Sequence, residues 1–155
     1  MTIKVIFLIM VLTMMNFELI GQDLTAISFK DGTYRGGYSE VENQVFLEFT
    51  LKNNIVEKIS FRNLFYNGID YGKSNDENAV TIRNQHKELI GYLKGKDIRT
   101  ALEDLYEPGK IITKTANGTN KGNANSIQAF SGATIRSGKV ISAIRDALNR
   151  GVYRY

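Results

Sequence analysis

A short stretch near the C-terminus carries the residues of this 155-residue chain whose types and spacing best suit chemistry. Ser131-Gly132-Ala133-Thr134, called here the SGAT segment, leads directly into a sequence with helical apolar spacing. Its two hydroxyls stand beside two of the smallest residues, so a bulky group could come close to the backbone. At a helix start, unpaired N–H groups and the helix dipole stabilise an anion such as phosphate. Arg136 and Lys139 follow within the first turns and add positive charge.

The residues alone leave two explanations of the SGAT segment open. Either hydroxyl could simply cap the helix, which contributes about 1 kcal/mol. The segment is not a P-loop, because five residues rather than four separate Gly132 from Gly138, and Val140 stands where a P-loop has Ser or Thr. It also lacks the G-x-S-x-G pattern of a nucleophile elbow. A phosphate site and an ordinary helix cap therefore both fit this stretch.

Composition narrows the classes of protein to which the chain can belong. There is no Cys, which excludes disulfides, thiolate metal sites and Cys nucleophiles. The single His, His86, argues against a zinc site or a Ser-His-Asp triad and is predicted to lie on a helix surface. The net charge of +4 is scattered rather than clustered, so we expect no nucleic-acid partner. A hydrophobic content of 43% supports one folded domain.

Residues 1–21 have the pattern of a secretory signal peptide. Lys4 precedes an apolar stretch over residues 5–15, which falls short of the roughly 20 residues that a membrane span needs. Cleavage is expected near Gly21. No Cys follows the apolar stretch, which excludes a lipoprotein-type lipid anchor, since that anchor is attached to Cys. A buried N-terminal helix and an uncleaved anchor are the alternatives. The prediction is an extracytoplasmic protein, in the periplasm or at the cell surface, with membrane association as an option.

The elements expected to position the SGAT segment form an α+β fold. Residues 28–61 alternate apolar and polar side chains between turn signals, which predicts a three-stranded antiparallel meander. Apolar spacing predicts helices over 80–93 and 98–105, and residues 110–115 suggest a further strand. The expected architecture is an antiparallel sheet with packed helices, and a C-terminal helix that starts at the SGAT turn and runs to about residue 149.

Two motifs together resemble the FMN-binding domain family. The sequence has D-G-x-Y-x-G at residues 31–36 and S-G-A-T at residues 131–134, where the last helix is expected to begin. The resemblance covers about residues 28–150. This family includes the flavin-carrying subunits of sodium-pumping NADH:quinone reductases and Rnf-type complexes, together with single-domain extracytoplasmic flavoproteins.

The resemblance implies a cofactor, a site and partners. FMN is the expected cofactor, bound by Ser131, Gly132, Ala133 and Thr134, with the Thr134 hydroxyl as the point of phosphoester attachment. A flavin transferase would move FMN there from FAD, and a membrane-associated redox partner would exchange electrons with it. Because the flavin ring carries the electrons, neither a catalytic side chain nor a metal is expected. The chain would be an extracytoplasmic electron carrier or oxidoreductase subunit rather than a stand-alone enzyme.

Two positions depart from the family pattern and support an alternative. Gln128 stands where the family usually has Asp, three residues before the motif, and Arg136 replaces the second Thr of A-T-x-T-S. The alternative is a degenerate, flavin-free structural or ligand-binding module of the cell envelope. The tyrosines considered for stacking on a flavin, with ordinary sheet or helix surface as the other option, are Tyr34, Tyr38, Tyr66 and Tyr106. Gly36 and Gly37 are predicted at turn or bulge positions.

Overall fold

A four-stranded antiparallel sheet and three helices form the structure, a computed structural model that describes residues 23–112 and 124–154 and, within 124–136, the backbone alone. The strands follow the order β1-β2-β3-β4. Their bounds are β1 Gly32–Glu40, β2 Asn43–Lys52, β3 Ile55–Tyr66 and β4 Ile69–Asp70. The helices are α1 Glu77–Gly91, α2 Ile98–Asp104 and α3 Ala124–Arg150. The α+β class is therefore confirmed, and residues 1–21 lie outside the described part.

The meander forms because one face of each strand is apolar. Val45, Leu47, Phe49 and Leu51 of β2 are all buried, as the period-2 pattern predicts. Asn53 and Asn54, at φ 51° and 65°, make the tight turn from β2 to β3. The three predicted strands are confirmed, and the short β4 is an addition.

A break in the β2–β3 register gives β3 one extra residue. Phe46 pairs with Asn63, and the next residue, Leu47, pairs with Phe61, so Arg62 has no partner across the ladder. Such a β-bulge bends the strand and redirects a side chain. Arg62, the extra residue, is exposed.

Side-chain caps start both shorter helices. The Asp76 carboxylate accepts from the Ala79 N–H at 3.1 Å, and the Asp97 carboxylate accepts from the Arg99 N–H at 2.9 Å. Both helices were predicted, but the surface position of His86 is wrong. His86 is 4% exposed, because α1 packs on β3 and turns that ring toward the sheet.

The last helix begins earlier than predicted. α3 starts at Ala124, so the SGAT segment lies inside the helix and does not open it. The preceding residues include Ala, Ile and Gln, which continue a helix readily, and one interior Gly costs only about 1 kcal/mol. The strand suggested over 110–115 is also wrong where it is described. Pro108–Lys110 form a 3-10 turn, and residues 113–115 are outside the described part.

α3 packs tightly on β1 and runs in the opposite direction. Near one end of the contact Lys139 meets Glu40, and near the other Val152 pairs with Tyr34. A Cβ at Gly36 would come closer than 3.0 Å to the backbone of Ala143 and Ala147. This close approach is the reason for Gly36, and the predicted turn or bulge at 36 and 37 is wrong because the β1–β2 register is unbroken there.

The C-terminal tail, residues 151–154, is held against β1. Gly151, at φ 77°, ends α3 as a left-handed cap. The Tyr153 N–H then donates to the Thr33 carbonyl at 2.7 Å. The tail is therefore a fixed part of the domain.

Within the described ranges, no helix combines the length and the apolar character needed to cross a membrane.

Candidate functional site

The SGAT segment occupies the interior of α3. Its backbone N–H groups are therefore used in the helical ladder, and the anion-binding argument for a helix N-terminus does not apply to them. The side chains of Ser131 and Thr134 lie outside the described part, so their predicted roles stay predictions.

Lys139 is the described cation nearest along the helix to the SGAT segment, one turn and a half beyond Thr134. Its Nζ lies 5.3 Å from the ring centroid of Tyr38 and 5.4 Å from that of Tyr66. The same atom is 3.5 Å from Glu40 Oε2, and the side chain is only 18% exposed. An ammonium is thus held between two aromatic rings, where cation–π attraction supplements the ion pair.

An amide also contacts this ammonium. With its amide oriented to satisfy both neighbours, Asn43 accepts from Lys139 Nζ at 3.3 Å and donates to the Glu42 carbonyl at 3.2 Å. Asn43 begins β2 and Glu40 ends β1, so the first hairpin supplies both partners of Lys139. We call Tyr38, Glu40, Asn43, Tyr66 and Lys139 the lysine cluster.

Hydrogen bonding sets the protonation states of two members of the lysine cluster. The pKa of Glu40 is lowered, mainly because it accepts a hydrogen bond from the Tyr38 hydroxyl, with a further contribution from Lys139. The same hydrogen bond raises the pKa of Tyr38, and partial desolvation and the Glu40 charge act in the same direction. At neutral pH the cluster therefore holds an ionised carboxylate, a protonated phenol and an ammonium.

The structure separates the four candidate tyrosines into different environments. Tyr34 is fully buried, stacks on Phe49 at 5.3 Å and donates its hydroxyl to the Lys30 carbonyl, so it is a core residue. Tyr106 is exposed beyond α2. Only Tyr38 and Tyr66 lie in the lysine cluster. Among the stacking candidates, these two are the ones placed toward the SGAT end of α3.

A layer of rings supports the lysine cluster from the core side. Tyr66 lies 5.7 Å from Tyr71 and 5.9 Å from the His86 ring, and His86 in turn meets Phe61 edge-on at 6.0 Å. His86 Nδ1 is 2.8 Å from the Ile82 carbonyl. Packed rings of this kind hold Tyr66 in one orientation.

Sequence reasoning identified part of this arrangement. It named Lys139 as a source of charge, and Tyr38 and Tyr66 as aromatic candidates. It missed Glu40 and Asn43, whose only signal is their place at the ends of two predicted strands. In residues 23–112 and 137–154 no group of His, Asp and Glu is arranged to hold a metal ion.

Comparison with known protein families identifies the family of the chain. The sequence model of the family described as FMN-binding domain matches residues 37–149, well over half of the chain. No curated protein and no solved structure matches. The matched range contains both the SGAT segment and the whole lysine cluster.

Proposed function

The chain belongs to the FMN-binding domain family, with FMN as its cofactor, and we propose that it is an extracytoplasmic electron-transfer protein whose flavin is esterified to Thr134. Flavin binding and electron transfer follow from the family. The flavin ring accepts and returns the electrons, and the protein holds and orients it. The observation that carries the proposal is the SGAT segment inside the matched range, on the helix that also bears Lys139.

The residues at this end of α3 suit FMN. Lys139 supplies an ammonium for a phosphate, whereas the Tyr38 hydroxyl already donates its proton to Glu40. The half-buried Tyr38 supplies aromatic surface for a flat ring system, whereas Tyr66 is only 4% exposed and backs the site from the core. Lys139 is already paired with Glu40, however, so it offers an anion only part of its charge. A covalent link would compensate for this weak electrostatic hold.

The proposed attachment requires only a hydroxyl from this chain. The Thr134 hydroxyl loses its proton and its oxygen bonds to the FMN phosphorus of FAD. The pyrophosphate bond breaks, AMP leaves and the proton passes to solvent, so atoms and charge balance without an oxidant. A separate flavin transferase would catalyse this exchange, and the lysine cluster itself contains no metal ligand set.

Substitution of Thr134 tests the attachment. Thr134→Val keeps the side-chain volume and β-branching but removes the oxygen, and the two residues have similar helix propensity, so the fold should persist. Ser131→Ala removes the other hydroxyl of the segment and is the matched control. After co-expression with a flavin transferase, intact mass should show covalent FMN on the wild type and on Ser131→Ala. Wild-type loading of Thr134→Val would refute the assignment.

The departure at position 128 offers a second variant. Gln128→Asp restores the carboxylate that the family usually carries three residues before the motif. If the transferase uses that carboxylate, Gln128→Asp should raise the covalently loaded fraction above the wild-type value. Absence of covalent flavin from both proteins would replace the ester with non-covalent FMN. Absence of bound flavin of either kind would favour the flavin-free module.

The location and redox partner are further parts of the proposal. Support comes from the signal-like residues 1–21 and from the family resemblance, which suggest export and electron exchange with a membrane-associated partner. Fractionation of cells expressing the full chain should recover it outside the cytoplasm or with membranes. Full-length protein found wholly in the soluble cytoplasm would contradict export.

A further inference from the structure

A second charged region lies at the opposite end of α3, where the C-terminal tail passes the sheet. A cleft of about 640 Å³ opens there between β1, β2, β3 and the tail. Its volume falls within the range of small-molecule sites. The lining has no acidic residue and includes four arginines, namely Arg35, Arg62, Arg150 and Arg154. We call this the arginine cleft.

The four arginines differ in how their charges are used. Arg35 pairs with Glu48, and Arg150 pairs with Asp146 at 3.0 Å, so two charges are partly neutralised. Arg62 and Arg154 are exposed and have no ion-pair partner in the described part of the chain. The bulge in β3 is what places Arg62 off the ladder. Two guanidiniums are thus available to an anion.

Aromatic surface accompanies these charges. Phe46 and Tyr153 line the cleft and are 38% and 41% exposed, which is high for such large rings. A Cβ at Gly37 would meet the Phe46 ring closer than 3.0 Å, so that ring lies directly against the strand. The Arg35 guanidinium lies 3.9 Å from the centroid of the Tyr153 ring. Aromatic rings and guanidinium groups therefore line the same opening.

The wall of the arginine cleft is built into the fold. The tail pairs with β1 through Val152 and Tyr34, and the Tyr153 N–H donates to the Thr33 carbonyl. At Gly32, a Cβ would meet the Val152 side chain at 2.7 Å, so the tail lies close against the strand. Pre-organised walls lower the entropic cost of binding a ligand.

The arginine cleft is separate from the lysine cluster. Positions 134 and 150 of α3 are sixteen residues apart, which corresponds to about 24 Å along the helix axis. Ligand binding in the cleft therefore does not depend on the proposed attachment at Thr134.

We propose that the arginine cleft binds a mononucleotide-type ligand, in which a planar aromatic ring is joined to a phosphate. Arg62 and Arg154 bind the phosphate, because a guanidinium presents paired donors that match its oxygens. Phe46 and Tyr153 contact the ring. A ligand that has only the ring contacts only the two aromatic residues, and a ligand that has only the phosphate contacts only the two arginines.

Calorimetric titration of Thr134→Val with AMP tests this proposal without interference from covalent flavin. AMP should bind, and adenosine and inorganic phosphate should each bind at least tenfold more weakly. Arg62→Ala/Arg154→Ala should weaken AMP binding about tenfold or more. Lys52→Ala/Lys94→Ala, which removes two exposed charges outside the cleft, is the matched control and should leave the affinity unchanged. Circular dichroism checks that each variant is folded.

A third variant separates the two halves of the ligand. Phe46→Ala should weaken the binding of AMP but not that of inorganic phosphate. Equal AMP affinity in the arginine and lysine double variants would overturn the proposal, since the attraction would then be general charge. Phosphate binding as tight as AMP binding, or no AMP binding at all, would overturn it as well. Because flavin loading is read by mass, these results are independent of whether Thr134 carries FMN.

Discussion

At one end of α3, Lys139 is enclosed by two tyrosine rings and paired with Glu40; at the other, Arg62 and Arg154 line an open cleft without acidic residues. In the lysine cluster, internal partners already neutralise part of the positive charge of Lys139. In the arginine cleft, the charges of Arg62 and Arg154 are available to a ligand. An ion pair made in advance lowers the attraction for an incoming anion, whereas free guanidiniums give reversible affinity. The comparison indicates that covalent retention suits the lysine cluster and exchangeable binding suits the arginine cleft.

The largest expected effect comes from a change that disrupts both ends together. Gly36→Val would place side-chain atoms on the backbone of Ala143 and Ala147, where α3 rests on β1. We expect a loss of about 3 kcal/mol in the free energy of unfolding, or a Tm about 10 °C lower. Thermal unfolding followed by circular dichroism measures it, with AMP binding and flavin loading both reduced.

A glycine on the helix side, Gly138 of α3, provides the control for this experiment. A Cβ at Gly138 would meet nothing within 4 Å. Gly138→Ala should therefore stabilise the protein by up to about 1 kcal/mol, through helix propensity alone. An unchanged Tm in Gly36→Val would show that the close helix–strand contact does not govern the packing.

A smaller effect, on the flavin midpoint potential, should distinguish a substitution at one end of α3 from a substitution at the other. If FMN is attached at Thr134, Lys139 is about 8 Å away along the helix axis and favours the more negative, reduced flavin. Lys139→Met should lower the flavin midpoint potential by a few tens of millivolts, equivalent to about 1 kcal/mol. Arg154→Met, at the far end, should leave it unchanged. Spectroelectrochemistry of the flavin-loaded wild type, Lys139→Met and Arg154→Met measures the midpoint potentials. Equal potentials in all three proteins would place the flavin away from Lys139.

The smallest effect concerns pH and only the lysine cluster. Glu40 has a lowered pKa, so its contribution to stability is complete above the ordinary value of 4.5 and is lost as the pH falls through the lowered value. The arginine charges stay constant over the same range. An NMR titration of the Glu40 carboxyl carbon should give a pKa below 4.5, and Tyr38→Phe should raise it. Titration of Glu40 at 4.5 or above in the wild type would contradict the hydrogen bond.

Much of the fold follows from local patterns. The apolar–polar alternation over residues 28–61 and the helical apolar spacing over 80–93 and 98–105 are short-range signals, and the structure confirms the strands and helices that they predict. The start of α3 was wrong because interior Gly and Ser residues weaken a helix only slightly, so they do not mark where a helix begins. The burial of His86 was missed because only the sheet determines which face of α1 is covered.

The sites were less accessible to sequence reasoning than the fold. The SGAT segment is contiguous, so a family resemblance could identify it. The lysine cluster joins β1, β2, β3 and α3, and the arginine cleft joins residues as distant as Arg35 and Arg154. Even the exposure of Arg62 depends on a register shift between two strands, which no single segment encodes. Such sites arise from tertiary geometry.

The C-terminal tail also affects how this domain behaves among copies of itself. β1 is an outer strand of the sheet, and unpaired backbone groups on outer strands invite association with another chain. The Tyr153–Thr33 hydrogen bond and the Val152–Tyr34 bridge occupy part of that edge. The C-terminal tail therefore covers part of an edge at which copies of the chain could aggregate. We expect a chain shortened before Val152 to lose solubility before it loses its fold.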